Sequence, residues 1–192
     1  MSHMLTGKAV TRALRGGGAA LFVKPSLTFS VIHIDSTNFE SVFIETLYII
    51  NKSKTVVGII YRPPNSDVKS FNNEIELIIK NLTKSKANLI LLGDFNINLL
   101  NSETHPESED FLNLLFANTL LPLVTKPTRF GSESTTLIGN IISNPLTNRT
   151  LSGVILDDIS DHLPVFLIID ASDCPTDLVK VVKRARQIMM LT

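Results

Sequence analysis

The chain has 192 residues, with 18 Lys or Arg balanced by 18 Asp or Glu, and 44% of it is hydrophobic. At that length a mean hydropathy of +0.23 fits one packed domain, and a net charge of zero excludes a blanket attraction to polyanions while leaving local basic patches open. Cys174 is the only cysteine, which excludes an internal disulfide and a cysteine-based zinc site, and no apolar run approaches the ~18 residues a membrane helix needs.

These features lead to the expectation of a soluble intracellular protein, nuclear or cytoplasmic, with no membrane partner and with any metal held by oxygen or imidazole. The opening MSHML reads as a cloning remnant, with no signal-peptide order after it. Both ends are basic. Lys8, Arg12, Arg15 and Lys24 precede the first acid, Asp35, and Lys180, Lys183, Arg184 and Arg186 close the chain. Solvated termini and a phosphate-contacting end both fit that distribution.

From Ala19 to Tyr61 the sequence predicts four neighbouring strands in a meander: AALFV, LTFSVIHI, VFIETLYII and TVVGIIY. They are rich in Val, Ile, Phe and Thr and are punctuated by Pro25, residues 35–38 and the turn at 51–54. The period then changes to steps of four, three and four at Phe71, Ile75, Ile78 and Leu82, which predicts an amphipathic helix with Ser66 or Asp67 as its cap. ANLILLGDF follows as a strand buried on both faces. SEDFLNLLFANTL predicts a second helix, with Ser108 as N-cap and Glu109 and Asp110 in its first turn. Shorter strands are expected over LPLVT, STTLIGNIIS, LSGVIL and LPVFLIID, then a linker and a short basic helix over 171–187. Many strands with two inserted helices predict two packed sheets with helices outside.

Three polar clusters each adjoin a strongly apolar strand: YRPPN after TVVGII, GDFNIN after LILL, and DDISDH between SGVIL and LPVFLII. Strand ends on one rim of a sandwich bring distant residues into one site and hold them rigidly. Gly93 would let the backbone turn closely, and Asp94 and Asn96 on an extended strand would point to the same side. Each cluster also has a plain reading, as turn residues bonding their own backbone or as a histidine at a strand start. Together they assemble the groups that phosphodiester hydrolysis uses: carboxylates for Mg²⁺ or Mn²⁺ and water, and donors for phosphate oxygens.

In order, RGGGAALFV, SVFIETL, GIIYRPPNS, LILLGDFNINLL, KPTRFGSESTTLI and DDISDHLPVFLII resemble the endonuclease domain of non-LTR (LINE-type) retrotransposons. That domain belongs to the endonuclease/exonuclease/phosphatase superfamily, related to apurinic endonucleases. The resemblance runs from about Arg15 to Ile169. It implies an α+β fold, a DNase I-like four-layer α/β/β/α sandwich of two mainly antiparallel sheets flanked by helices. It also implies a Mg²⁺- or Mn²⁺-dependent nuclease that nicks target DNA to free a 3′ end for reverse transcription.

By the same resemblance Tyr61 contacts phosphate, Asp94 and its amide partner Asn96 orient water, Asp161 closes the site and His162 binds phosphate. Asp94 and Asp161 would hold the metal, and Arg62, Asn65, Asn98, Arg129 and Asn140 would contact the substrate. Residues 15–170 form the matching domain, after a non-matching stretch at 1–14 and before a linker and basic tail at 171–192.

Two departures from the family pattern bear on activity. The family opens with a strand carrying an Asn and another ending in a metal-binding Glu, and this sequence shows neither before its RGGG stretch. Glu40 and Glu45 fall on a later strand and read as solvent-facing acids. Lacking those strands, one sheet is expected to show unpaired edges or an apolar gap, and the chain to form a homodimer through exposed edges or to be marginally stable. The other departure is TTLIGNI in place of the usual TLID, which puts Gly139 where an Asp would orient His162. A positioned acid or base is worth about 10²–10⁴ in rate, so activity is expected to be impaired, with rescue by Asp157 or Asp158 the less favoured outcome. Two readings remain: a metal-dependent DNA endonuclease, or an inactive relic that binds nucleic acid or protein. A phosphatase on the same superfold ranks third.

Overall fold

The computed structural model describes residues 8–12, 18–50, 53–131, 134–146, 150–157, 160–170 and 188–191. Its centre is a six-stranded sheet built from β3 (Phe29–Ile32), β4 (Glu40–Ile50), β5 (Ser53–Tyr61), β6 (Asn88–Asp94), β7 (Leu121–Pro122) and β10 (Gly139–Ser143), in the order β3-β4-β5-β6-β10-β7. The pair β5 and β6 is parallel and the other pairings are antiparallel. The apolar run Leu89–Leu92 is buried along its length because both faces of β6 are covered.

Helix α1 (Val68–Thr83) starts at Asp67, whose Oδ2 accepts the Ser70 N–H at 2.6 Å, so of the two expected caps Asp67 takes the role. Phe71, Ile75 and Ile79 form its buried line, with Ile78 and Leu82 packed at the margin. Helix α2 (Pro106–Ala117) begins three residues before the expected start: Pro106 supplies a preset first-turn φ, His105 is the N-cap without a side-chain cap bond, and Ser108 is buried inside the first turn. Both helices cover one face of the sheet, where Phe71, Ile75, Phe111 and Leu115 meet Phe43, Val56, Ile60 and Leu91. Emptying the Phe71 site would cost about 3–5 kcal/mol.

The opposite face carries a second core, in which Val42, Ile44, Val57, Ile59, Ile90, Leu92 and Ile141 pack against Ala19, Leu21 and Val23. Those last three lie on β2 (Ala19–Val23), which sits between β1 (Lys8–Arg12) and β13 (Ile188–Leu191) in a separate sheet. The expected four-strand meander is therefore three strands, β3 to β5, with β2 in the other layer. The hairpin of β11 (Thr150–Val154) and β12 (Val165–Ile169) covers the rest of this face through half-buried Val154, Val165, Leu167 and Ile169. Among the described residues the second layer thus consists of two pieces, one of three strands and one of two.

The predicted strand over 134–143 is divided into β9 (Thr135–Thr136), which pairs with β8 (Arg129–Phe130), and β10, because the Leu137 N–H leaves the ladder for Asn98 Oδ1 at 2.9 Å. Residues 171–187, expected as a linker and basic helix, lie outside the described residues. No helix among the described residues is long and apolar enough to cross a membrane.

Candidate functional site

Alternation through the segment after β6 puts acid and amides at the rim of the sheet. Phe95 and Ile97 are buried in the helix-side core, which turns Asp94, Asn96 and Asn98 away from it. The turn is sharper than an extended strand. Gly93 has φ +147°, where a Cβ would lie 1.8 Å from the Ile60 carbonyl oxygen, and Asn96 has φ +49°. Asp94 Oδ1 accepts the Asn96 N–H at 3.0 Å, and Asn96 Nδ2 donates to the Arg62 carbonyl at 2.7 Å. The two side chains therefore lock the turn, and Asn96 does not point alongside Asp94 as extended geometry required.

Arg62 corrects a second expectation. Its side chain is buried, donating from Nε to the Phe95 carbonyl at 2.6 Å and from its terminal nitrogens to the Asn96 carbonyl at 2.7 Å and the Ser66 carbonyl at 2.6 Å. The guanidinium also lies 5.9 Å from the Phe71 ring centroid. Burial pushes its pKa down, partly opposed by Glu107, Asp94 and Asp67. Arg62 is a brace for the 94–96 turn, with each of its three nitrogens donating to an oxygen inside the protein. Asn140 is likewise 1% exposed, its Oδ1 accepting from Val124 N and Ile141 N and its Nδ2 donating to the Val124 carbonyl. Asn98 Oδ1 accepts the Leu137 and Leu100 N–H groups. Neither amide oxygen is free for substrate, while Asn65 is exposed in the turn after β5.

The structure brings the other candidates together. Register pairs Glu40 with Tyr61, Tyr61 with Asp94, and Asp94 with Gly139, so these four residues form one rank across β4, β5, β6 and β10. Paired residues face the same side, here the face of Val42, Ile59, Leu92 and Ile141. Across from this rank His162 Nδ1 stands 3.7 Å from Asp94 Oδ2, too long for a hydrogen bond and close enough for an ion pair when the imidazole is protonated. The segment carrying His162 is fixed by backbone bonds from Leu163 N to the Thr128 carbonyl and from Phe130 N to the Asp161 carbonyl. Asp161 Oδ2 binds Arg129 Nε at 3.0 Å, and both side chains are about half exposed.

Burial raises the Asp94 carboxyl above the usual carboxylate range, partly offset by the Asn96 N–H and by His162, Arg129 and Arg62. Asp161 is pulled the other way, chiefly by its hydrogen bond from Arg129. Gly139 pairs in register with Asp94, its N–H donating to Thr128 Oγ1 at 2.9 Å. Asp157 lines a cleft of about 650 Å³ with Asp161, Phe130 and Ser160, whereas Asp158 lies outside the described residues.

Glu40 overturns its expected place in solvent: it is 5% exposed, and its Oε2 is buried with no hydrogen-bond partner. Glu45, half-buried on the same strand, pairs with Lys54 at 2.6 Å. A hard divalent cation takes oxygen ligands, and the orphaned Glu40 oxygen and the Asp94 carboxylate on one face fit that chemistry. The Asp161 oxygen is already engaged by Arg129. No three acidic, imidazole or thiol groups among the described residues converge on one point, so any cation here would be held by few protein oxygens.

Solved structures share this architecture. The endonuclease domain of TRAS1, a telomere-specific non-LTR retrotransposon, matches 85% of this chain and 80% of its own at 16% identity, with a TM-score of 0.63. The human nocturnin catalytic domain with bound sulfate matches 84% and 72% at 14% identity, TM-score 0.59, and D. rerio TDP2 with a single-strand DNA product 85% and 76% at 10% identity, TM-score 0.56. At these identities the likeness establishes the fold, that of the DNase I-like endonucleases, exonucleases and phosphatases. The family described as endonuclease-reverse transcriptase matches residues 55–166, more than half of the chain, and the chain belongs to that family. No curated protein matches the sequence.

Proposed function

We propose that this chain binds DNA and cleaves its phosphodiester backbone with the help of a divalent cation, slowly compared with a site that has a hydrogen-bonded histidine. One observation carries the reading: Asp94, buried at the rim in register with Tyr61, faces His162 across 3.7 Å. Family membership supports the reaction class.

In this mechanism a DNA phosphate lies against His162, Tyr61 and the half-exposed Arg129, which contribute positive charge and hydrogen-bond donors. Asp94 Oδ2 holds the attacking water and accepts its proton, a role suited to a carboxylate whose burial favours the protonated form. Oδ1, held by the Asn96 N–H, fixes the orientation of that base. Attack at phosphorus breaks the bond to the 3′ oxygen, which leaves as a hydroxyl with a proton from water or from His162, and the other product carries a 5′ phosphate. Asp94 and a second oxygen ligand on its face would hold Mg²⁺ or Mn²⁺, which when bound supplies Lewis-acid stabilisation of the developing phosphate charge.

Gly139 leaves His162 without a neighbouring carboxylate from β10, and the 3.7 Å gap to Asp94 exceeds hydrogen-bond length. That gap favours a second reading, a DNA-binding surface without turnover. End-labelled duplex DNA separates the two: the proposal expects products ending in 3′ hydroxyl and 5′ phosphate, whereas salt-sensitive binding with no product in Mg²⁺ or Mn²⁺ supports the binding surface.

A further inference from the structure

We infer that Glu40 is a cation ligand of the candidate site, supplying with Asp94 the anionic oxygens that a divalent metal would take. The inference rests on the cation-dependent reading above and adds a residue which the family resemblance does not assign.

Electrostatics leaves Glu40 in want of a positive partner. An ionised carboxylate out of water needs one, and a single buried acceptor without a donor costs about 1–3 kcal/mol, more when charged. Glu40 Oε2 has none. Glu45 shows how the same strand treats an acid outside the site, leaving it half-buried and paired with Lys54. None of the ion pairs among the described residues reaches Glu40. The nearby cation Arg62 has its donors on the Phe95, Asn96 and Ser66 oxygens.

Position points the same way. Glu40 is in phase with Val42 and Ile44, so its side chain leaves β4 on the face where Asp94 leaves β6. Tyr61 separates the two in the rank, which places their Cα atoms two strand spacings apart, about 10 Å. Glu and Asp side chains reaching inward from such positions are suited to ligands of one ion. Mg²⁺ commonly keeps several waters and uses only one or two carboxylates plus substrate phosphate, so the lack of a three-residue cluster does not count against this pair.

A hydrophobic residue would serve the core better at a buried strand position with no polar partner. Keeping a glutamate there costs stability, and a cation supplied from solution offsets the cost.

Manganese binding tests the inference without relying on turnover. The chain, Glu40→Gln, Glu45→Gln and Asp94→Asn would be titrated with Mn²⁺ by electron paramagnetic resonance and melted in EDTA and in Mn²⁺. Glu40→Gln should raise the Mn²⁺ dissociation constant at least tenfold, should melt no lower than the parent in EDTA, and should lose the rise in melting temperature that Mn²⁺ gives the parent. Glu45→Gln should behave as the parent. Unchanged Mn²⁺ affinity in Glu40→Gln, or no Mn²⁺ binding by the parent, would overturn the inference. So would a Glu40→Gln chain that is unfolded in EDTA, which would make Glu40 a folding residue. DNA cleavage measured alongside separates the two levels: cleavage with Mn²⁺ affinity independent of Glu40 sinks the inference alone, and Glu40-dependent binding without cleavage sinks the proposed function alone.

Discussion

Arg62→Ala tests whether the buried guanidinium is a brace or a substrate contact. Truncation removes donors from three carbonyls, those of Phe95, Asn96 and Ser66, and from the Ser66 hydroxyl. Hydrogen bonds to a charged group are worth about 1.5–3 kcal/mol each but do not add, because carbonyls near the rim regain water. Breaking a buried charged network typically costs about 3–5 kcal/mol, a large share of the ~5–15 kcal/mol that holds a domain together. Arg62→Lys keeps the charge and loses the fork, so it should fall between Ala and the parent. Urea unfolding in EDTA gives the stability change, and DNA affinity of the folded fraction gives the functional one. A loss below about 1 kcal/mol together with tenfold weaker DNA binding would refute the brace and restore Arg62 as a substrate contact.

Asp94→Asn should stabilise the chain in EDTA at neutral pH while removing cleavage. Because burial raises the folded carboxyl above its unfolded value, the unfolded chain loses that proton first as pH rises, and stability falls through the window between the two pKa values. The Asn variant should lack that fall in urea melts taken across pH, and a variant less stable than the parent above the window would contradict the sign. Gly139→Asp would put a carboxylate beside Asp94 after Thr128 Oγ1, 3.3 Å from the new Cβ, gives by a few tenths of an ångström. Cleavage should rise, by up to about 10²-fold, if that group orients His162, and should stay unchanged if it does not. Gly93→Ala should cost at least about 3 kcal/mol in thermal or urea unfolding, since its Cβ would meet the Ile60 carbonyl; a change below about 1 kcal/mol would show that the turn relaxes freely.

How much was legible depended on whether a local pattern had one physical meaning. Helix α1 and strand β6 were readable because a 3.6-residue period and an unbroken apolar run each admit few alternatives. The start of α2 was misplaced because Ser108 resembles a cap, while Pro106 opens the first turn three residues earlier than that cap would. Charge misled most. Arg62 read as a substrate contact and Glu40 as a solvent-facing acid, yet the fold buries both, one braced by carbonyl partners and the other with an orphaned oxygen. Glu40 carried a partial signal in its phase with Val42 and Ile44. Its rank beside Tyr61 was hidden by the irregularity between Thr46 and Ile50: counting straight from the Ile50–Ser53 pair would set Glu40 opposite Pro63. The gathering of YRPPN, GDFNIN and DDISDH at one rim was readable from their shared place beside apolar strands, whereas the 3.7 Å spacing of Asp94 and His162 was not.

Nicking of supercoiled plasmid by this chain in Mn²⁺ and Mg²⁺, beside Asp94→Ala, His162→Ala and an EDTA control, tests the central claim most directly. Cation-dependent nicking that EDTA and both substitutions abolish is the predicted result. Plasmid left intact by a folded parent chain, or nicking that persists in Asp94→Ala, would contradict a phosphodiester-cleaving site built on Asp94 and His162.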